Sequence, residues 1–231
     1  MAADTIPARL LRRAEQMPGR TAYLEKVDGA YVPTSWGEYA DQVRLAAKAL
    51  IALGFQPGQI TTILGFNRSE WTILDLATMC VGGAPAGIYA TNSPEEVHYI
   101  IHHAEAPLIL VENDAQLAKV LEVRDRLPAL KTIVTMRGTP AHSDSAILTW
   151  DEFLALGDGV DDAEFLGRIE DLEPDGLATL IYTSGTTGPP KGVMLTHHNL
   201  TWTSAAASNI VELSPETRSV SYLPLSHIAE Q

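Results

Sequence analysis

Apolar positions along the chain recur with helical or strand periods, and capping residues and glycines separate the runs. Ser35 and Glu38 form a capping box, after which Trp36, Tyr39, Val43, Ala46, Ala47 and Leu50 keep helical spacing until Gly54 stops the element. The run ITTILG at residues 60–65 predicts a short buried strand, and residues 69–83 predict a helix closed by Gly82 and Gly83. Ser93, with Pro94 at the first helical position, opens a helix over 93–104, and PLILV at 107–111 is again a strand. A helix over about 114–127, a strand at 131–135 and a short helix from Thr149 follow, the last marked by a Thr149–Glu152 capping box. Near the start, Asp28-Gly29 between alternating runs predicts a hairpin.

Strands that alternate with helices of ten or more residues require crossover connections and hence parallel pairing. The expected fold class is therefore α/β: a doubly wound, mostly parallel sheet with flanking helices. Towards the C-terminus, LATLIY (177–182) and GVMLT (192–196) both read as strands, so the residues between them sit on a β-hairpin. Thr196 caps a helix beyond it. The chain shows no internal repeat.

The hairpin loop changes the picture. YTSGTTGPPKG, residues 182–192, holds three glycines, two prolines, four hydroxyl-bearing Ser and Thr residues and one lysine. Such a loop adds little to a core, and ordering its glycines costs more chain entropy than ordering other residues. Its chemistry suits a phosphate chain instead. Thr183, Ser184, Thr186 and Thr187 offer hydroxyls, Gly185 and Gly188 let backbone N–H groups turn inward, and Lys191 supplies positive charge. It differs from the common P-loop, because Lys191 follows Pro189-Pro190 and leads into a strand rather than opening a helix.

With 231 residues, 45% of them hydrophobic, the chain can bury a sizeable core. Its formal charge of −13 argues against nucleic acid as a partner, since phosphate backbones are gripped chiefly by Lys and Arg. Residues 158–175 carry eight acidic residues against Arg168 alone, and this stretch reads as a solvated connector spanning about 157–176. Cys80 has no partner cysteine, which fits a reducing, cytoplasmic location. Arg9, Arg12 and Arg13 near the N-terminus lack the apolar core of a signal peptide behind them. His98 and His102 have the i, i+4 spacing of a metal clamp, but the third ligand and adjacent acid of a metalloprotease are missing. The helix bearing them and His103 is read as an exposed face. The sequence carries no signal for an oligomeric state.

The loop and its surroundings, YTSGTTGPPKGVMLTHHNL, resemble the nucleotide-loop signature of the adenylate-forming superfamily, which includes acyl-CoA synthetases, luciferases and peptide-synthetase adenylation domains. TSWGEYADQVRLAAKAL, CVGGAPAGIYATNSPEEVHYIIHHAEAPLILVEN and SYLPLSHIAEQ are similar to further family segments, so the resemblance runs from about residue 20 to 231. YLPLSHIAEQ is most like long-chain fatty acyl-CoA synthetases. The resemblance implies a two-step ligase using ATP, Mg²⁺ and coenzyme A on a fatty acid, with a fatty substrate allowing transient contact with a membrane surface. It assigns Thr183, Ser184, Gly185, Thr186, Thr187, Gly188 and Lys191 to the β- and γ-phosphates and Thr186 to Mg²⁺. His227 it sets beside the acyl carboxylate, with Lys191 and His227 as the catalytic candidates.

Two expectations compete with a simple transfer of that function. Ser226 reads as the cap of a helix with only five residues after it, and the family's adenine-binding segment and C-terminal catalytic lysine have no counterpart here. The chain therefore reads as the N-terminal part of a larger adenylate-forming domain, inactive alone. The alternatives are a truncated homologue that binds nucleotide or a partner without catalysis, and a ligase for another acid.

Overall fold

The computed structural model describes residues 3–137, 144–183, 189–211, 214 and 216–228. Helix α1 (Ile6–Gln16) precedes an antiparallel pair, β1 (Thr21–Val27) and β2 (Ala30–Ser35), whose turn places Asp28 and Gly29 at positive φ. This is the expected hairpin, with both turn residues in the left-handed region that a two-residue connection demands. Then come α2 (Trp36–Ala52), β3 (Ile60–Leu64), α3 (Ser69–Cys80), β4 (Ala84–Ile88), α4 (Pro94–His103), β5 (Leu108–Val111) and α5 (Asp114–Val123). The remainder is β6 (Thr132–Thr135), β7 (Ile147–Thr149), α6 (Trp150–Ala155), α7 (Asp162–Glu170), β8 (Leu177–Thr183), β9 (Lys191–Thr196) and α8 (His197–Ser208). The capping boxes at Ser35, Ser93 and Thr149 all form, and Thr196 makes another with Asn199.

Seven strands form one sheet in the order β7-β6-β5-β3-β4-β8-β9, parallel throughout except for the antiparallel β8–β9 pair. Two apolar layers cover its faces. On β5, Leu108 and Leu110 enter the layer built by α2 and α3, whereas Ile109 and Val111 enter the layer built by α4 and α5. This two-sided burial explains why the central strands are continuous apolar runs rather than alternating ones. It also fixes a topological feature: β3 sends the chain through α3 to one face, and its neighbour β4 sends it through α4 to the other. Open α/β sheets commonly hold ligands outside the carboxyl ends of two such strands.

The acidic stretch departs from its expected role. Residues 162–170 form α7, capped by Asp161, with Phe165 fully buried in the α2–α3 layer. The charges occupy its outer face, where Asp162 pairs with Lys48 at 3.1 Å. Amphipathic burial of one face, not solvation of the whole, accounts for the segment. Helix α1 and strands β4 and β7 are further elements that the pattern alone did not predict.

Candidate functional site

The β8–β9 register places Thr183 directly opposite Lys191, so these two residues form the mouth of the hairpin. Both are exposed. Ser184, Gly185, Thr186, Thr187 and Gly188 lie outside the described residues. The stem beneath the mouth is braced from α4. His103 Nδ1 lies 2.8 Å from the Tyr182 hydroxyl on β8, and the Tyr99 hydroxyl donates to the carbonyl of Pro190, just before β9, at 2.9 Å. The rings of Tyr99 and His103 stack 5.5 Å apart, one helical turn from each other. Burial pushes the Tyr182 hydroxyl up to about 12, so it remains protonated and available as a hydrogen-bond donor. A Cβ at Gly192 would lie in van der Waals contact with this ring, 3.4 Å from Tyr182 Cζ.

The histidine helix thus has a structural partner that its spacing did not reveal. His98 and His102 stack on each other with ring centroids 5.6 Å apart, while His103, although exposed, reaches the stem of the loop. The signal available was the i, i+4 pair Tyr99 and His103, polar aromatics on one helix face. Among the described residues there is no group of three or more His, Cys, Asp or Glu able to hold a metal ion.

His227 lies in a bend, residues 224–227, where its N–H donates to the Pro224 carbonyl at 2.8 Å. Ser226 is buried in this turn, and the helix it is expected to cap falls largely on residues 229–231, which lie outside the described residues. Its backbone rests on Gly87 of β4: a Cβ at Gly87 would lie 2.7 Å from Ser226 Cα. No side chain fits that gap, so glycine is required for this close approach. Gly87 in turn pairs in register with Ile181 of β8, two residues before Thr183. The hairpin mouth and the Pro-Leu-Ser-His bend therefore share the carboxyl edge of the parallel strands. The residue types at the mouth, a lysine in register with a threonine at the two ends of a glycine-rich loop, are chemically suited to an anion.

Among the described residues no helix is long and apolar enough to cross a membrane.

Residues 10–231 match the family described as AMP-binding enzyme. A long-chain-fatty-acid–CoA ligase, ACSBG2, of Xenopus laevis is 47% identical over 201 residues, which cover 85% of this chain and 27% of the relative. The ACSBG2 ligase of Mus musculus is 39% identical over 232 residues, covering 98% of this chain and 35% of the relative. The chain thus spans about a third or less of the curated relatives it matches. Among solved structures, ATP-bound MatB from Rhodopseudomonas palustris superposes with a TM-score of 0.76 at 23% identity, over 100% of this chain and 42% of that one. At that identity the likeness speaks to the fold alone. With the family match running over nearly its whole length, the chain belongs to the AMP-binding enzymes, the adenylate-forming superfamily.

Proposed function

We propose that the complete protein joins a long-chain fatty acid to coenzyme A at the expense of ATP, and that these 231 residues are the N-terminal part of its large domain. A carboxylate oxygen attacks the α-phosphorus of ATP; the bond to the bridging oxygen breaks, and pyrophosphate leaves with the electron pair. The thiol sulfur of coenzyme A then attacks the acyl carbon, AMP departs with its oxygen, and the thiol proton passes to solvent. The products are an acyl thioester, AMP and pyrophosphate.

One observation carries the reading: Thr183 stands opposite Lys191 at the mouth of a glycine- and threonine-rich hairpin. In this reading Thr183, Ser184, Gly185, Thr186, Thr187, Gly188 and Lys191 hold the β- and γ-phosphates, and His227 lies by the acid. Thr186 is the loop hydroxyl assigned to Mg²⁺, which would offset phosphate charge. Each charge-assisted contact is worth about 1.5–3 kcal/mol. They accelerate the reaction to the extent that they tighten as charge grows on the departing pyrophosphate. Local donors are needed because a chain of net charge −13 repels a nucleotide at long range. The fatty acid and coenzyme A rest on the names of the relatives, which are long-chain-fatty-acid–CoA ligases. Transient membrane contact follows from such a substrate.

The test is acid-dependent exchange of radiolabelled pyrophosphate into ATP by the complete gene product. Exchange that depends on long-chain fatty acids, followed by thioester formation with coenzyme A, supports the reading. Nucleotide binding without exchange for any acid would turn it to a non-catalytic module. The 231-residue chain by itself is expected to show no exchange.

A further inference from the structure

The loop between β3 and α3 holds the Pro-Leu-Ser-His bend and its approach through side-chain hydrogen bonds. Asn67, on this loop, uses its whole carboxamide: Nδ2 donates to Ser221 Oγ at 2.9 Å and to the Leu223 carbonyl at 2.7 Å, and Oδ1 accepts from the Leu225 N–H at 3.0 Å. These bonds link positions more than 150 residues apart. The loop itself is fixed from beneath. Buried Glu112, just after β5, accepts from the Phe66 N–H at 3.0 Å and pairs with Arg68 Nε at 2.8 Å. Gly65 admits Glu112 so closely that a Cβ there would meet Glu112 Cβ at 2.8 Å. Asn67 is therefore bracketed by two anchored residues.

We infer that Asn67 is a positioning residue: it fixes the 221–225 backbone, and through it the placement of His227 at the acid side of the site. The inference rests on the functional reading above for the word acid, but its geometric core does not. An asparagine suits the task because it alone combines two donors and an acceptor on so short a stem; aspartate keeps the acceptor for Leu225 and loses both donors. The clamp spans the ends of β3 and β4, where the chain leaves the sheet towards opposite faces, so the bend is seated at the topological switch point. Tyr222 and Val220 on the approach to the bend are exposed, whereas Leu225 and Ser226 are buried, Ser226 against Gly87 of the sheet.

The experiment compares Asn67→Ala, Asn67→Asp and wild type in the complete gene product by hydrogen exchange and by steady-state kinetics. The expected result is faster amide exchange confined to residues 221–228, with β3 and β5 unchanged. Alongside it, KM for the fatty acid should rise about tenfold for Asn67→Ala while KM for ATP stays within twofold. Ser221→Ala removes one of the three bonds at an exposed position and should give a smaller effect of the same kind, which decides the matter if the Asn67 variants fail to fold. Unchanged exchange at 221–228 overturns the clamp. Faster exchange throughout the sheet makes Asn67 a general folding residue and also overturns it. A loosened bend with unaltered acid KM overturns the positioning role. Should wild type itself show no acid-dependent turnover, the functional reading falls, while the exchange data still judge the clamp.

Discussion

His103 Nδ1 and the Tyr182 hydroxyl lie 2.8 Å apart, joining helix α4 to the strand that leads into the glycine-threonine loop. With the Tyr99 bond to Pro190, this gives the hairpin mouth a support on each side. Loss of one such bond costs about 0.5–1.5 kcal/mol. Tyr182→Phe in the complete gene product should therefore raise KM for ATP by roughly three- to tenfold, with KM for the acid little changed. Steady-state titration of each substrate checks this, and an equal rise in both values would mean that the brace does not serve the loop.

Lys191 is exposed at the mouth and opposite Thr183, so it has little packing to lose. Lys191→Ala should slow adenylation by about two orders of magnitude, as for loss of a charge-assisted contact of about 2–3 kcal/mol, while the melting temperature stays within about a degree or two. Lys191→Arg should recover part of the rate, because it restores charge without the same point geometry. Pyrophosphate exchange set beside thermal unfolding separates the two effects.

Two buried titratable groups give the chain a pH profile of stability. Burial pushes Asp75 up to about 8, and its Oδ1 has no hydrogen-bond partner among the described residues. Its contribution is favourable below its ordinary value of 3.8 and is lost as pH rises towards 8, because the folded form binds the proton more tightly. His197 behaves oppositely: burial holds it down to about 4, so stability is fully present above 6.5 and declines as pH falls towards 4. The slopes oppose each other between 4 and 6.5, and of the two groups Asp75 alone acts from 6.5 to 8. Denaturant midpoints should therefore fall from pH 6.5 to 8 in wild type, by up to about 1.4 kcal/mol per pH unit, and stay flat in Asp75→Asn. A slope that survives in Asp75→Asn would assign the effect to another group.

Phe165 distinguishes a folded helix from a solvated connector. It is fully buried in the α2–α3 layer, and Phe165→Ala should destabilise the chain by about 3–5 kcal/mol. Glu164→Ala, at the exposed neighbouring position, should stay within about 0.5 kcal/mol. Chemical denaturation of the two variants makes the comparison, and equal stabilities would return the segment to connector status.

These outcomes bear on what a sequence reveals. Helices announced by hydroxyl-to-glutamate boxes, such as that at Ser35 and Glu38, were legible because the signal is local and its partners lie three residues apart. The hairpin carrying the loop was legible for the same reason. Strand β4, APAGI, was not: its alanines, proline and glycine have low strand propensity, and close approach dictates Gly87, on which Ser226 packs from 139 positions away. Helix α7 was hidden by charge, since eight acidic residues outweighed the apolar stripe around Phe165. At the candidate site, Lys191 and Thr183 were singled out by residue chemistry, and the strand register sets them opposite each other. Asn67, Tyr99 and His103 were not, because each acts on a segment 79 or more residues away, and no local pattern encodes such a partner.

The central claim, that the loop opened by Thr183 and closed by Lys191 grips the departing end of the nucleotide, is tested most directly by a crystal structure of the complete gene product with a non-hydrolysable ATP analogue. The account predicts the β- and γ-phosphates within hydrogen-bonding distance of Lys191 Nζ and of loop N–H groups at residues 184–188. A triphosphate bound elsewhere, with Lys191 facing solvent, would contradict it.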